Sequence, residues 1–127
     1  QAIYKPSSEE VHAGLAKNFN SGYQKVRTQY EKTIEKIRMV FADEEFEILF
    51  FESLFTVDVY EAICSFLAIE CGSPSFDVAA NVSPEFANPP EYLQRTIVNY
   101  YRSTYEYMAE KYPEVKFLWR ESFNLLE

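Results

Sequence analysis

Tyr23, Val26, Tyr30, Ile34, Ile37 and Phe41 follow one another at spacings of 3, 4, 4, 3 and 4. An α-helix turns once in 3.6 residues, so these six side chains share one face, whereas a strand would send its residues to alternate sides. Lys25, Arg27, Glu31, Lys32, Glu35 and Lys36 fall opposite and form a solvated face. A helix with such a stripe must bury it against other elements. This heptad-like pattern predicts a helix of about five turns over 23–41.

Helical spacing recurs along the chain. "SSEE" at Ser7–Glu10 is a capping-box pattern, followed by Val11, Leu15 and Phe19 on one face and by a break at Asn20–Gly22. Asp43 can cap a third helix, in which "FEILFFESLF" is apolar round most of its circumference, as in a central helix. Thr56 or Asp58 restarts a fourth through Val59, Ile63, Phe66 and Leu67, ended by Gly72, Ser73 and Pro74. Residues 74–90 form a Pro/Ser/Asn-rich connector, with a short helical turn expected at Ser83–Pro84 and Phe76, Val78, Val82 and Phe86 packed down. It carries a glycosylation sequon at Asn81, disfavoured by the nearby Pro84. A fifth helix is expected from Pro90 to about Tyr112 and a sixth after Pro113, through Val115, Leu118, Trp119, Ser122 and Leu126. The chain holds only 3 Gly, too few for a turn-rich β protein.

The expected fold is therefore all-α: a compact bundle of five or six helices with mostly antiparallel neighbours, forming a single helical domain over 1–127. Its core should include Val26, Tyr30, Ile34, Ile37, Phe50, Ile63, Leu67, Leu93, Ile97 and Leu118.

The charge balance is 12 basic against 20 acidic residues, a net of −8. The basic residues are scattered and mostly neighbour a Glu, as in "EKTIEKIR". Nucleic acid and anionic membranes require clustered Lys and Arg, so neither is an expected partner. A negative surface favours basic protein partners; the plainer reading is solubility alone. No apolar run approaches the roughly 20 residues that span a bilayer. The chain begins with Gln1, which fits a mature secreted protein or a trimmed chain, and secretion is the expectation.

Cys64 and Cys71 lie in "CSFLAIEC". Seven residues of continuous helix rise roughly 10.5 Å, and a disulfide needs Cα atoms within roughly 7 Å. A bridge therefore requires the helix to stop before Cys71, while Gly72, placed like a helix-ending residue, says that it continues to Cys71.

Little in the residue set supports catalysis. His12 is the single histidine; Glu9 three residues before it matches one half of a di-iron carboxylate motif, whose second half is missing. Zinc and Ser–His–Asp arrangements lack ligands or partners, and Gly14, Gly22 and Gly72 are too far apart to form a phosphate loop. Glu45 and Glu52, seven apart, share a helix face but at a spacing typical of solvated pairs. We expect no enzyme activity, no metal and no cofactor.

The unusual feature is aromatic: 10 Tyr and 11 Phe in 127 residues. On the expected fifth helix, Tyr100, Thr104 and Tyr107 form one line, and Tyr101, Tyr105 and Tyr112 a second, about 100° away. Only one line can face the core fully. Tyr is enriched at protein interfaces, so Tyr101, Tyr105 and Tyr112 are the candidate partner-binding residues. The alternative is that the Pro-rich connector covers them. At the level of class, the chain resembles small secreted helical proteins that parasites and blood-feeders direct at host defence or clotting proteins. The expected function is inhibitor-like occupation of a surface on another protein. A carrier of a small apolar ligand, held in a cavity between helices lined by Phe46, Phe50, Phe55, Phe66 and some tyrosines, is the second reading, and an intracellular adaptor the third.

Overall fold

A computed structural model describes residues 5–77 and 85–126. The expectations at Val78, Asn81, Val82 and Ser83–Pro84 lie outside the described residues. Of the described residues, 63% are helical and none is in a strand. Among the described residues, nine α-helices stand where five or six were expected. They arise because three expected helices are each interrupted at one residue. Contacts divide the chain into two compact units, 1–41 with 85–127, and 42–84.

In the larger unit, α1 (Ser8–Asn18) opens with the expected capping box: the Glu10 amide donates to Ser7 Oγ, and the Ser7 amide donates to Glu10 Oε2 at 2.8 Å. Ser21 then caps α2 (Gly22–Thr28). The long stripe helix breaks at Gln29, whose ψ of 73° turns α2 relative to α3 (Tyr30–Arg38). Gln24, Lys25 and Thr28 face inwards instead of the stripe, and Val26 is 78% exposed. Lys25 lies over the Tyr100 ring, 5.6 Å from its centroid, which favours this orientation.

The expected fifth helix divides at Tyr101 (φ −97°, ψ 20°) into α6 (Glu91–Tyr100) and α7 (Arg102–Lys111). The sixth divides at Trp119 into α8 (Val115–Leu118) and α9 (Arg120–Phe123). Hydrogen bonds run through both breaks, from the Tyr101 amide to Ile97 O and from the Trp119 amide to Val115 O. α3 packs on α7, and α6 on α9. The core is Ile34, Leu93, Val98, Tyr101, Thr104, Met108 and Val115. Thr104 Oγ1 donates to Glu31 Oε2 at 2.6 Å, which satisfies the buried hydroxyl and ties α7 to α3.

In the unit 42–84, the expected central helix is largely absent. Asp43–Glu45 is a single 3-10 turn, closed by the Ala42 amide donating to Glu45 Oε2. Phe46 and Phe50 are extended, and only α4 (Phe51–Leu54) is helical. A segment apolar on all sides makes a stable helix only when it is buried all round. Here Leu49, Phe51 and Phe55 are exposed. Thr56 caps α5 (Val57–Leu67), its Oγ1 accepting from the Val59 amide.

The expected core list needs correction. Ile34 and Leu93 are buried, and Ile37, Phe50, Ile63, Ile97 and Leu118 are half-buried. Val26, Tyr30 and Leu67 are exposed. Val26 lost its place to the turn at Gln29. On α5 the covered face runs through Tyr60, Ile63 and Cys64 rather than Leu67.

Candidate partner-binding surface

Tyr101, Tyr105 and Tyr112 are buried or half-buried, whereas Tyr92 and Tyr100 on α6 are exposed. Tyr101 is 3% exposed, so its ring is not available to a partner. Its hydroxyl donates to the Phe19 carbonyl, and burial raises its pKa above the usual 10.0. Tyr100 stands edge-on to Phe19 at 5.3 Å and to Tyr101 at 5.0 Å. Tyr105 is half-buried, edge-on to Trp119 at 6.0 Å and to Phe123 at 5.4 Å. Tyr112 is half-buried at the end of α7. The two expected lines do not survive the break at Tyr101: the buried row takes Tyr101 from one line, Thr104 from the other, and Met108. Phe19, Trp119 and Phe123 supply the rings that meet these tyrosines.

A different set of aromatics is left open. Phe51 and Phe55 meet edge-on at 5.4 Å, Phe55 meets Phe76 at 6.4 Å, and Phe76 meets Tyr60 at 6.5 Å. In this row Phe51 is 73% and Phe55 57% exposed. Val57, Phe66, Leu67 and Ile69 are exposed in the same unit. Single exposed apolar residues are ordinary, whereas rings in mutual contact form a patch.

Charge separates the units as well. Residues 42–84 hold nine acidic residues and no Lys, Arg or His. Their formal charge is −9, and the rest of the chain, with 12 basic and 11 acidic residues, carries +1, which together give −8. Glu52, Asp58 and Glu61 are exposed on α4 and α5, the helices that carry Phe51, Val57 and Tyr60. The whole-chain figure concealed this asymmetry, and counting charge by segment would have found it.

The remaining chemistry is sparse. The His12 Nε2–H donates to the Ala87 carbonyl at 2.7 Å, a tether between α1 and the chain leading into α6. Glu45 and Glu52 do not share a helix, because residues 46–50 are not helical. Among the described residues, no group of three or more His, Cys, Asp or Glu could hold a metal. Nor is any helix among them long and apolar enough to cross a membrane. Open hollows lined by described residues of the larger unit include ones of about 510, 510 and 250 Å³. Phe46, Phe50, Phe55 and Phe66 line none of the three; Tyr105 and Ile97 line the smallest.

Comparison with protein-family models gives no match, and comparison with curated proteins and with solved structures gives none either.

Proposed function

We propose that the protein is a non-enzymatic binder that occupies a basic surface on another protein through the acidic, aromatic unit 42–84. The observation that carries this reading is the coincidence of the exposed row Phe51–Phe55–Phe76 with a segment that has no positive charge. Exposed rings supply the apolar centre of an interface, and the surrounding carboxylates supply steering and select against acidic partners. These phenylalanines are favoured over Tyr101, which is buried, and Tyr105, which Trp119 and Phe123 engage, while half-buried Tyr112 keeps its proposed role. Secretion and inhibitor-like action belong to the same proposal. So does a bundle arrangement of the larger unit, supported by the packing of α3 on α7 and α6 on α9.

The test is capture from the natural setting with the parent chain and with a Phe51→Ala/Phe55→Ala variant, followed by mass spectrometry. A basic protein retained by the parent and lost by the folded variant supports the reading. Equal retention by both, or an acidic partner, overturns it.

A further inference from the structure

The two cysteines stand on the two arms of one chain reversal. α5 stops at Leu67, four residues earlier than Gly72 suggested, because Ala68 adopts the left-handed conformation (φ 53°, ψ 42°). The Ile69 amide donates to Cys64 O and the Ala68 amide to Ser65 O, a paired closure of the last turn that sends the chain back. Beyond it, the Gly72 amide donates to Tyr60 Oη at 3.1 Å. Tyr60 and Cys64 are four apart on α5 and share a face. The returning segment therefore lies along that face, and Cys71 directly precedes its point of attachment. Both cysteines are free thiols in this structure, the Cys64 side chain buried and the Cys71 side chain exposed. Cys64, as hydrogen-bond partner, is the first cause that pushes the Cys71 thiol up to about 11, and desolvation adds to it.

A catalytic or sensing dithiol holds a thiolate with a nearby cation, a metal or a helix N-terminus. Residues 42–84 contain no Lys, Arg or His, the pair lies at the C-terminal end of α5, and the Cys71 thiol is raised rather than lowered. A structural bridge has no such requirement. Domains below roughly 40 residues usually need a staple, and 42–84 is barely longer, with Cys64 as the one buried side chain among its described residues. We propose that Cys64 and Cys71 are a disulfide-forming pair that staples the end of α5 to the returning chain.

Closure proceeds by exchange with a low-molecular-weight disulfide. The exposed Cys71 thiol loses its proton, and its sulfur attacks the small disulfide, breaking that S–S bond and expelling one small thiolate. Cys64 then loses its proton and attacks the Cys71 sulfur, forming the protein disulfide and expelling the second thiolate. The two expelled thiolates take up the two protons. Two electrons pass from the protein to the small disulfide.

The test equilibrates the reduced full chain in oxidised and reduced glutathione, blocks residual thiols and reads the intact mass. The folded chain should lose two hydrogens without retaining glutathione. It should do so at an oxidised-to-reduced ratio at least about tenfold lower than the same chain in urea, since prealigned sulfurs raise the closure constant. Glutathione persisting on Cys71, a disulfide-linked dimer, or closure no easier than in urea would overturn the proposal. Because Cys64→Ser removes a buried side chain and can unfold the unit, the second arm uses Cys71→Ser. Its remaining Cys64 thiol should alkylate far more slowly under native conditions than in urea, and equal rates would also overturn the proposal.

Discussion

Ile34 and Val26 come from the same six-residue stripe and have opposite fates. Ile34 is buried on α3, and Val26 is 78% exposed on α2. Ile34→Ala should cost about 2–5 kcal/mol, the usual range for truncating a buried Ile. Val26→Ala should stay within about 0.5 kcal/mol, as at other surface positions. Urea melts of the two variants check both, and equal losses would show that the stripe faces one way after all. Tyr101 gives a second expectation, in pH. Burial is the main cause that raises its folded pKa above 10.0, against the accepting bond from Thr28 and the charge of Lys25. A raised folded pKa means that the neutral phenol is favoured in the fold. Its contribution is complete below the unfolded pKa of about 10 and is lost as pH rises through the folded value. Cys71 titrates in the same direction, so the readout is the difference between parent and Tyr101→Phe. The parent should lose stability faster than the variant above about pH 10, and parallel curves would place Tyr101 in water. Below that pH the variant should be weaker by about 0.5–1.5 kcal/mol, for the lost bond to Phe19.

At the scale of elements, what could be read from sequence was what a few neighbouring residues decide. Ser7 with Glu10, Ser21 before Gly22, and Thr56 before Val57 all start helices through bonds spanning three residues. The interruptions at Gln29, Tyr101 and Trp119 carry no Gly or Pro to announce them. Distant partners accompany them instead: Lys25 over Tyr100, the Tyr101 hydroxyl on Phe19, and Tyr30 and Tyr105 against Trp119. The end of α5 departs from expectation for a related reason. Gly72 is the residue suited to a left-handed cap, yet Ala68 takes that conformation and Gly72 bonds to Tyr60. An alanine there carries a strain that glycine avoids, so Ala68→Gly should stabilise the unit by about 0.5–1 kcal/mol. Destabilisation by that amount in denaturant melts would mean that residue 68 is helical. A closed Cys64–Cys71 ring, with eight residues, should add about 2.5 kcal/mol on the chain-entropy account, read as the difference between oxidised and reduced melts.

For the whole molecule, the net charge is legible in the sequence, while its distribution between the two units shows only once they are known. A chain-wide −8 is an ordinary solubility device, whereas −9 in 42–84 against +1 elsewhere is a local field. The aromatic surplus is legible too, but which rings stay exposed depends on packing that periodicity does not reveal: Tyr101 is buried, and Phe51 and Phe55 are open. Charge and rings should act on different steps of binding. On the proposed function, carboxylates of 42–84 would steer a basic partner over distances up to the Debye length, about 8 Å at physiological ionic strength, and so act on association. Rings at an interface centre act after contact, on dissociation. Replacing Glu52, Asp58 and Glu61 by their amides should therefore slow association and flatten its dependence on salt, with dissociation little changed. Phe51→Ala/Phe55→Ala should leave the salt dependence of association intact and accelerate dissociation, with a loss of about 2 kcal/mol or more if these rings are the anchors. Stopped-flow or surface binding from low to high salt separates the two. Association that ignores salt in the parent would reduce the acidity to solubility, and dissociation unchanged without the two rings would move the contact to another part of the surface.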